Sequence, residues 1–121
     1  TIHLAGDTIT LVLTSMAVMY MTGRTPSFVL MLPFIFMLGV TMVAAPGVPG
    51  GGVMAALGIL ESMLGFGTLE KPIMIALHAA QDSFGTATNV TGDGAIAIII
   101  DSVLNSNEVV AENLEELRVL E

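Results

Sequence analysis

The sequence predicts an all-α integral membrane protein with a half helix, a re-entrant helical hairpin, an interrupted transmembrane helix and a short amphipathic C-terminal helix. The first observation is composition: 54% of the 121 residues are hydrophobic, 12% are charged and the mean hydropathy is +0.86. A soluble domain of this size needs a far larger polar surface to cover its core. The second observation is that clusters of proline and glycine separate long apolar runs, which indicates helices that end within or beside a bilayer.

Charged residues are concentrated near the C-terminus, and the rest of the chain is nearly uncharged. The formal net charge is −8, and five of the eleven acidic residues lie within the last fourteen positions: Glu108, Glu112, Glu115, Glu116 and Glu121. The basic residues number three: Arg24, Lys71 and Arg118. A chain of this kind has no basic patch for nucleic acid or for anionic lipid. Nucleic acid is therefore excluded as a partner.

Residues 1–22 form the first predicted element, the end of a membrane helix. The apolar run from Thr8 to Met21 stops at residues 23–26 (GRTP), a cluster that ends a helix and turns the chain. The sequence opens with threonine rather than methionine, and it lacks the basic segment and cleavage site of a signal peptide. We therefore expect an upstream part of the protein to precede it.

Residues 27–66 are predicted to form a re-entrant helical hairpin whose tip is residues 46–52 (PGVPGGG). Proline lacks a backbone donor and glycine disfavours helix, so the tip is expected to be non-helical. The run after it, residues 53–66, is shorter than the roughly twenty residues that a helix needs to cross the hydrocarbon. Bare backbone at membrane depth is tolerated only where it is buried in protein or lines a cavity, so the tip is expected to lie inside the protein.

Residues 73–104 are predicted to be the last membrane helix, interrupted by the polar segment 89–93 (NVTGD). With it, residues 1–104 would form part of one core domain. The remaining residues, 105–121, carry apolar side chains at helical spacing among acids: Val109, Val110, Leu114 and Leu117. This pattern predicts a short amphipathic helix that lies in water.

Acidic residues inside the last apolar run need a physical reason, because an ionisable group costs about 2.5–3.5 kcal/mol near the centre of a membrane helix. At about 100° per residue, Asp82, Asn89 and Asp93 fall on one stripe of a helix. Three further residues join or flank this face: His78, Gly85 and Thr86. One interpretation is a polar face that packs in a larger bundle. The other, favoured by the lack of a nearby basic residue, is a bound cation with oxygen ligands.

The glycine-rich tip and the polar helix together indicate a site for a solute and an ion. No Gly-Lys-Ser/Thr follows the tip, which disfavours a nucleotide site. Free amides and carbonyls at broken helix ends suit a substrate carboxylate and a partly dehydrated cation, respectively. His3 and His78 are candidates for proton relays or metal ligands, with a hydrogen-bonded packing role as the alternative.

Three segments resemble the dicarboxylate/amino acid:cation symporters, the family of the glutamate transporter homologues. Residues 1–8 (TIHLAGDT) are similar to the family's unwound Asn-Met-Asp-Gly-Thr region. Residues 45–52 (APGVPGGG) are similar to the tip of its second hairpin, and residues 81–93 (QDSFGTATNVTGD) to its last helix. The resemblance covers residues 1–104 and implies the end of the seventh helix, the second hairpin, the eighth helix and a cytoplasmic tail.

The resemblance also implies a role for each matching position. Asp82 would bind the amino group of the substrate and Asn89 its carboxylate. The backbone near Val48 and Gly52 would close over the substrate. The same site would be lined by Asp7, Gly85 and Thr86. The implied sodium ligands, most of them backbone carbonyls, are Asp93, Asn89, Thr1, Met42, Val43 and Ala45.

Departures from the family pattern bear on the substrate and on the coupled ion. Acid-transporting members carry an arginine where this chain has Gly85 and a threonine where it has Asp7, so the guanidinium that would clamp a side-chain carboxylate is missing. This difference predicts a neutral polar amino acid such as serine or threonine, with a dicarboxylate as the alternative. His3 and Ala5 replace two side chains near a further sodium site, so a proton is the alternative to sodium as the coupled ion.

We therefore expect a secondary active transporter, a cation-coupled symporter of an amino acid, and not an enzyme. No cofactor is expected apart from the coupled sodium ions. The implied setting is the inner cell membrane, as a multi-pass protein with a cytoplasmic C-terminal tail and in the homotrimer of the full-length family. The competing interpretations are a membrane-embedded structural or pore subunit and an inactive fragment of the transporter.

Overall fold

The computed structural model describes the backbone of residues 4–119 and the side chains of residues 4–105. Over this part of the chain the protein consists of helices and short connections, without a strand. In chain order the helices are α1 (Ala5–Met21), α2 (Phe28–Val43), α3 (Gly51–Leu64) and α4 (Glu70–Val119). The all-α fold class predicted from the sequence is confirmed.

α1 ends at the glycine that the sequence identifies as a helix stop. Gly23 has a φ of 74°, and its N–H donates to the Tyr20 carbonyl at 3.1 Å. The next N–H, that of Arg24, donates to the Met19 carbonyl at 2.8 Å. This pair of bonds is the Schellman arrangement, which satisfies two carbonyls of the last turn.

α2 and α3 are joined by a non-helical link, residues 44–50. Ser27 caps α2, since its hydroxyl accepts a hydrogen bond from the Leu30 N–H at 3.3 Å, and the helix accommodates Pro33 in its interior. At the end of the link Gly50 has a φ of 73°, a conformation that glycine adopts without strain. The chain turns there into α3, whose 14 residues are too few to cross a bilayer as a helix.

The non-helical tip is shorter than the sequence predicted, because Gly51 and Gly52 belong to α3. The prediction of a tip that extends through residue 52 was wrong at these two positions. The first N–H groups of a helix have no acceptor within it, so a glycine there costs little more than its conformational entropy, about 1 kcal/mol. Both glycines are buried at the N-terminal end of α3.

α4 is a single helix of 50 residues, about 75 Å long at 1.5 Å per residue. It continues through residues 89–93, so the predicted interruption is one of polarity and not of the backbone. The predicted C-terminal helix is likewise the continuation of α4 as far as Val119 and not a separate element. The reason is that proline, the residue that breaks a helix interior, is absent after Pro72 in the first turn.

The packed core lies between α1, α2, α3 and the first part of α4. α1 packs along α4 and α2 along α3, and α3 also contacts α1 and α4. Its most deeply buried large side chains are Leu11, Val18, Met19, Phe34, Leu38, Val53, Leu60, Leu64, Phe66 and Met74. Met74, in the second turn of α4, is the only α4 residue in this list. The later turns of α4 therefore contribute few large side chains to the core.

Within the described chain, one helical segment, Glu70–Asn105, is long and apolar enough to cross a membrane. The other three helices are apolar but shorter. The C-terminal part of that segment exposes large apolar side chains: Ile98, Ile99, Ile100, Val103 and Leu104. Contact of such a large apolar surface with water is unfavourable. The exposed side chains therefore agree with a membrane environment for α4.

Candidate functional site

A cavity of about 210 Å³ lies where the start of α1, the link before α3 and the middle of α4 meet. Six of the seven residues predicted to bind substrate line it: Asp7, Val48, Gly52, Asp82, Thr86 and Asn89. The seventh, Gly85, is buried beside Asp7. Segments far apart in the sequence therefore converge on one polar cavity.

Asn89 connects α4 to the start of α1 through both atoms of its side-chain amide. Its Oδ1 accepts a hydrogen bond from the Gly6 N–H at 2.8 Å. Its Nδ2 donates to Asp7 Oδ2 at the longer distance of 3.4 Å. The Gly6 amide lies in the first turn of α1, where backbone donors lack a helical acceptor. Asn89 therefore supplies one of the acceptors that this helix end needs.

Asp7 occupies a slot between two glycines. A β-carbon at Gly85 would lie 3.0 Å from Asp7 Oδ1, and one at Gly52 would lie 3.4 Å from Asp7 Oδ2. The side chain of Asp7 is correspondingly well buried, with the whole residue 9% exposed. A β-carbon at Gly85 would therefore crowd the Asp7 carboxylate, whereas one at Gly52 would make an ordinary van der Waals contact with it.

His78 is the functional candidate that the structure brings most clearly into the site. It is 3% exposed, lines the cavity, and places its Nε2 3.9 Å from Asp7 Oδ1. The sequence alone leaves the role of His78 open between proton relay, metal ligand and packing residue. The available signal was its position four residues before Asp82, which puts both on one face of a helix.

The cavity contains acidic side chains and His78, but no lysine or arginine among the described residues that line it. Arg24 lies elsewhere, where its guanidinium donates to the Leu64 carbonyl. Lys71 pairs with Glu61 at 2.8 Å. Without a fixed positive charge, Asp7 and Asp82 give the cavity a negative potential that favours a cationic group.

A second cavity, of about 450 Å³, adjoins the first. The residues that line both are Pro49, Gly50, His78 and Asp82. The remaining wall of the second cavity is apolar and comprises Val53, Met54, Ile75 and Ala79. The sequence does not predict this second cavity, because its apolar walls come from ordinary apolar positions of two helices.

The predicted sodium ligands are more dispersed than the substrate-binding residues. Asn89 lines the first cavity, whereas Asp93 is exposed on α4 one turn later. Thr1 lies outside the described residues. Of the three others, Met42 and Val43 end α2 and Ala45 lies in the link that follows it. The Met42 carbonyl accepts a hydrogen bond from the Ala45 N–H at 3.3 Å.

Oxygen atoms are the donor type that a sodium ion requires, and helix-end carbonyls together with the Asp93 carboxylate supply that type. In the described part of the chain, no group of three or more histidine, cysteine, aspartate or glutamate side chains is placed to hold a metal ion. A transition-metal centre is therefore not indicated there.

Comparison with known proteins gives one match. The family model described as the sodium:dicarboxylate symporter family matches residues 1–103. No curated protein matches the chain at a significant level, and no solved structure does. The matched range includes α1, the link, α3 and the polar face of α4, and so contains every described residue that lines the two cavities. The chain belongs to the sodium:dicarboxylate symporter family.

Proposed function

We propose that this chain forms the substrate-binding part of a sodium-coupled symporter whose substrate is a neutral polar amino acid of the serine or threonine type. Family membership supports sodium-coupled symport. The observation that carries the substrate class is the contact between Asp7 and Gly85. At the position where acid-transporting relatives are expected to carry an arginine, this protein has no side chain and presents a carboxylate from α1.

Charge argues against an acidic substrate. Asp7 and Asp82 both line the cavity, and a third carboxylate at about 4 Å from either would be repelled by about 4 kcal/mol at an effective dielectric constant of 20. A hydroxyl can instead donate a hydrogen bond to a carboxylate, and such charge-assisted bonds are strong. The small volume of the cavity agrees with a small solute.

The two ends of an amino acid find complementary groups in this cavity. Asp82 is the proposed partner of the substrate ammonium group. The N-terminal end of α3, at Gly51 and Gly52, presents the positive end of a helix dipole and suits the substrate carboxylate. Asn89 can contribute through Nδ2, since an amide nitrogen carries two N–H donors and the contact with Asp7 uses one of them, whereas its Oδ1 accepts from the Gly6 N–H.

The ion-binding and gating parts of the proposal involve the helix ends around the link. Sodium would bind to carbonyls at the end of α2 and to Asp93, with Asn89 and Thr1 as further ligands. The link and α3 would act as the gate that closes over the substrate. A proton remains the alternative coupled ion. The same proposal includes the setting of the protein: an inner-membrane location, a multi-pass topology, a cytoplasmic tail, an upstream part of the protein and a homotrimer.

The decisive experiment is competition for sodium-driven uptake of radiolabelled serine by the full-length protein in proteoliposomes. Unlabelled serine or threonine should inhibit at concentrations at least about tenfold lower than aspartate, which corresponds to about 1.4 kcal/mol. Asp82→Asn should abolish uptake, whereas Asp101→Asn, on the exposed part of α4, should not. Stronger inhibition by aspartate would overturn the substrate assignment, and absence of any solute binding would favour a structural subunit.

A further inference from the structure

His78 is a buried titratable residue that the proposed substrate contacts do not use. It is 3% exposed and lines both cavities. Asp82, one helical turn away, lines both as well, and positions four apart on a helix have β-carbons about 5–6 Å apart. His78 therefore shares its cavities with the proposed ammonium partner Asp82 and lies near the carboxylate of Asp7.

The charged groups around His78 come from two helices. α1 contributes Asp7, whose Oδ1 is 3.9 Å from Nε2, and α4 contributes Asp82. The part of the link and α3 that lines the cavities carries no ionisable side chain, and the acid of α3, Glu61, pairs with Lys71. Among the described residues that line the cavities, His78 is therefore the one side chain that can carry a positive charge.

We propose that His78 binds a proton in competition with the substrate, so that substrate binding releases a proton from the protein. This inference rests on the proposed function, in which an ammonium group binds at Asp82. An imidazolium at His78 and an ammonium at Asp82 would be like charges about one helical turn apart, competing for the same two carboxylates. Loading the substrate therefore disfavours a proton on His78.

The sign of the pH dependence follows from linkage. If substrate binding releases a proton, then protonation weakens substrate binding to the same degree. Histidine is the side chain whose charge ordinarily changes between about pH 5 and 8. The substrate affinity should therefore fall as the pH is lowered through this range, by up to about tenfold per pH unit for one coupled proton.

The test is calorimetric titration of the purified full-length protein with L-serine at constant sodium, in two buffers that differ in ionisation enthalpy. The difference between the binding enthalpies in the two buffers, divided by the difference between the buffers' ionisation enthalpies, gives the number of protons released. The wild-type protein should release close to one proton per serine at the acidic end of the range, and about none at pH 8.5. His78→Gln, which keeps a hydrogen-bond donor near Asp7, should bind serine with no release between pH 6 and 8.5.

The matched control is Asp101→Asn, which removes a titratable side chain on the exposed part of α4 that lines neither cavity, and it should leave proton release at the wild-type value. Release that is lost in this variant and kept in His78→Gln would overturn the assignment. Serine binding by the wild type with no proton release at any pH would overturn the inference and leave the proposed function intact, even if His78→Gln failed to fold. Absence of serine binding at every pH would instead contradict the proposed function.

Discussion

The carboxylate of Asp7 on α1 lies against Gly85 on α4, with Oδ1 3.0 Å from the position that a β-carbon would occupy at Gly85. This distance is shorter than an ordinary van der Waals contact, so a side chain at residue 85 would displace the Asp7 carboxylate by a few tenths of an ångström. This contact affects both the fold and the site, because it lies where α1 packs on α4 and it holds an acid in the cavity.

Gly85→Ala should weaken serine binding by about tenfold, since extra volume in a packed site typically costs about 1–3 kcal/mol and here displaces the Asp7 carboxylate. Gly92→Ala is the matched control on the same helix, because a β-carbon there meets nothing within 4 Å. Alanine should slightly favour the helix at residue 92. Equal serine affinities of the two variants, measured by calorimetry, would refute a special role for Gly85.

Asp7→Thr combined with Gly85→Arg should reverse the substrate preference from serine to aspartate. The double change removes one cavity carboxylate and adds a guanidinium, which can bind a side-chain carboxylate through two parallel hydrogen bonds. Gly85→Arg alone should gain less aspartate uptake, because Asp7 would pair with the new guanidinium. Inhibition of serine uptake by aspartate measures the preference, and a double variant that still prefers serine would contradict our account of specificity.

Gly6→Ala should lower the thermal stability by separating the start of α1 from α4. Its β-carbon would overlap the Gly85 carbonyl oxygen, and would lie 2.9 Å from Thr88 Cβ and 3.1 Å from Asn89 Oδ1. Overpacking of this kind costs about 1–3 kcal/mol in unfolding free energy. Gly39→Ala in α2, where a β-carbon meets nothing within 4 Å, should keep or slightly raise stability. A thermal unfolding series in detergent that ranks the variants in the opposite order would disprove the contact.

Asp93→Ala should remove the sodium dependence of serine binding, since Asp93 is the proposed carboxylate ligand of the ion. Asp101→Ala provides a control, because Asp101 is a second exposed acid on α4 that accepts a hydrogen bond from Asn105 at 3.2 Å. The measurement is serine affinity at low and high sodium with choline as the replacement cation. A sodium response that survives in Asp93→Ala would move the ion site elsewhere.

The break between α2 and α3 and the polar face of α4 could be predicted because each follows from local chemistry. Proline and glycine disfavour helix in the link, and the spacing of Asp82, Thr86 and Asn89 matches the helical period. The extent of α4 was less predictable, since polar residues such as those at 89–93 do not break a helix that lacks proline. The sequence therefore predicts a polar segment but does not predict whether the helix is broken there.

The contacts that build the site could not be read from periodicity. The hydrogen bond from Gly6 to Asn89 joins residues 83 positions apart, and nothing local in either segment specifies that pairing. His78 was recognised as a candidate, but its partner Asp7 became apparent only in the folded chain. Sodium ligands that are backbone carbonyls leave no side-chain pattern, so their placement rests on family resemblance.

Arg24 should stabilise the fold more than Lys71 does, although both are basic residues near the end of α3. The Arg24 guanidinium donates to the Leu64 carbonyl and lies 5.9 Å from the centroid of the Phe66 ring. A hydrogen bond from a charged group contributes about 1.5–3 kcal/mol. We therefore expect Arg24→Met to lower the unfolding free energy by an amount in that range.

Lys71→Met should have a smaller effect that disappears at high salt. Its ion pair with Glu61 is solvent-exposed, with side-chain exposures of 27% for Lys71 and 62% for Glu61. Exposed pairs contribute about 0.2–1 kcal/mol, and salt screens them. Chemical denaturation with urea at low and high sodium chloride would measure both variants. A larger loss for Lys71→Met than for Arg24→Met would show that the ion pair, and not the capped carbonyl end of α3, anchors this helix to its neighbours.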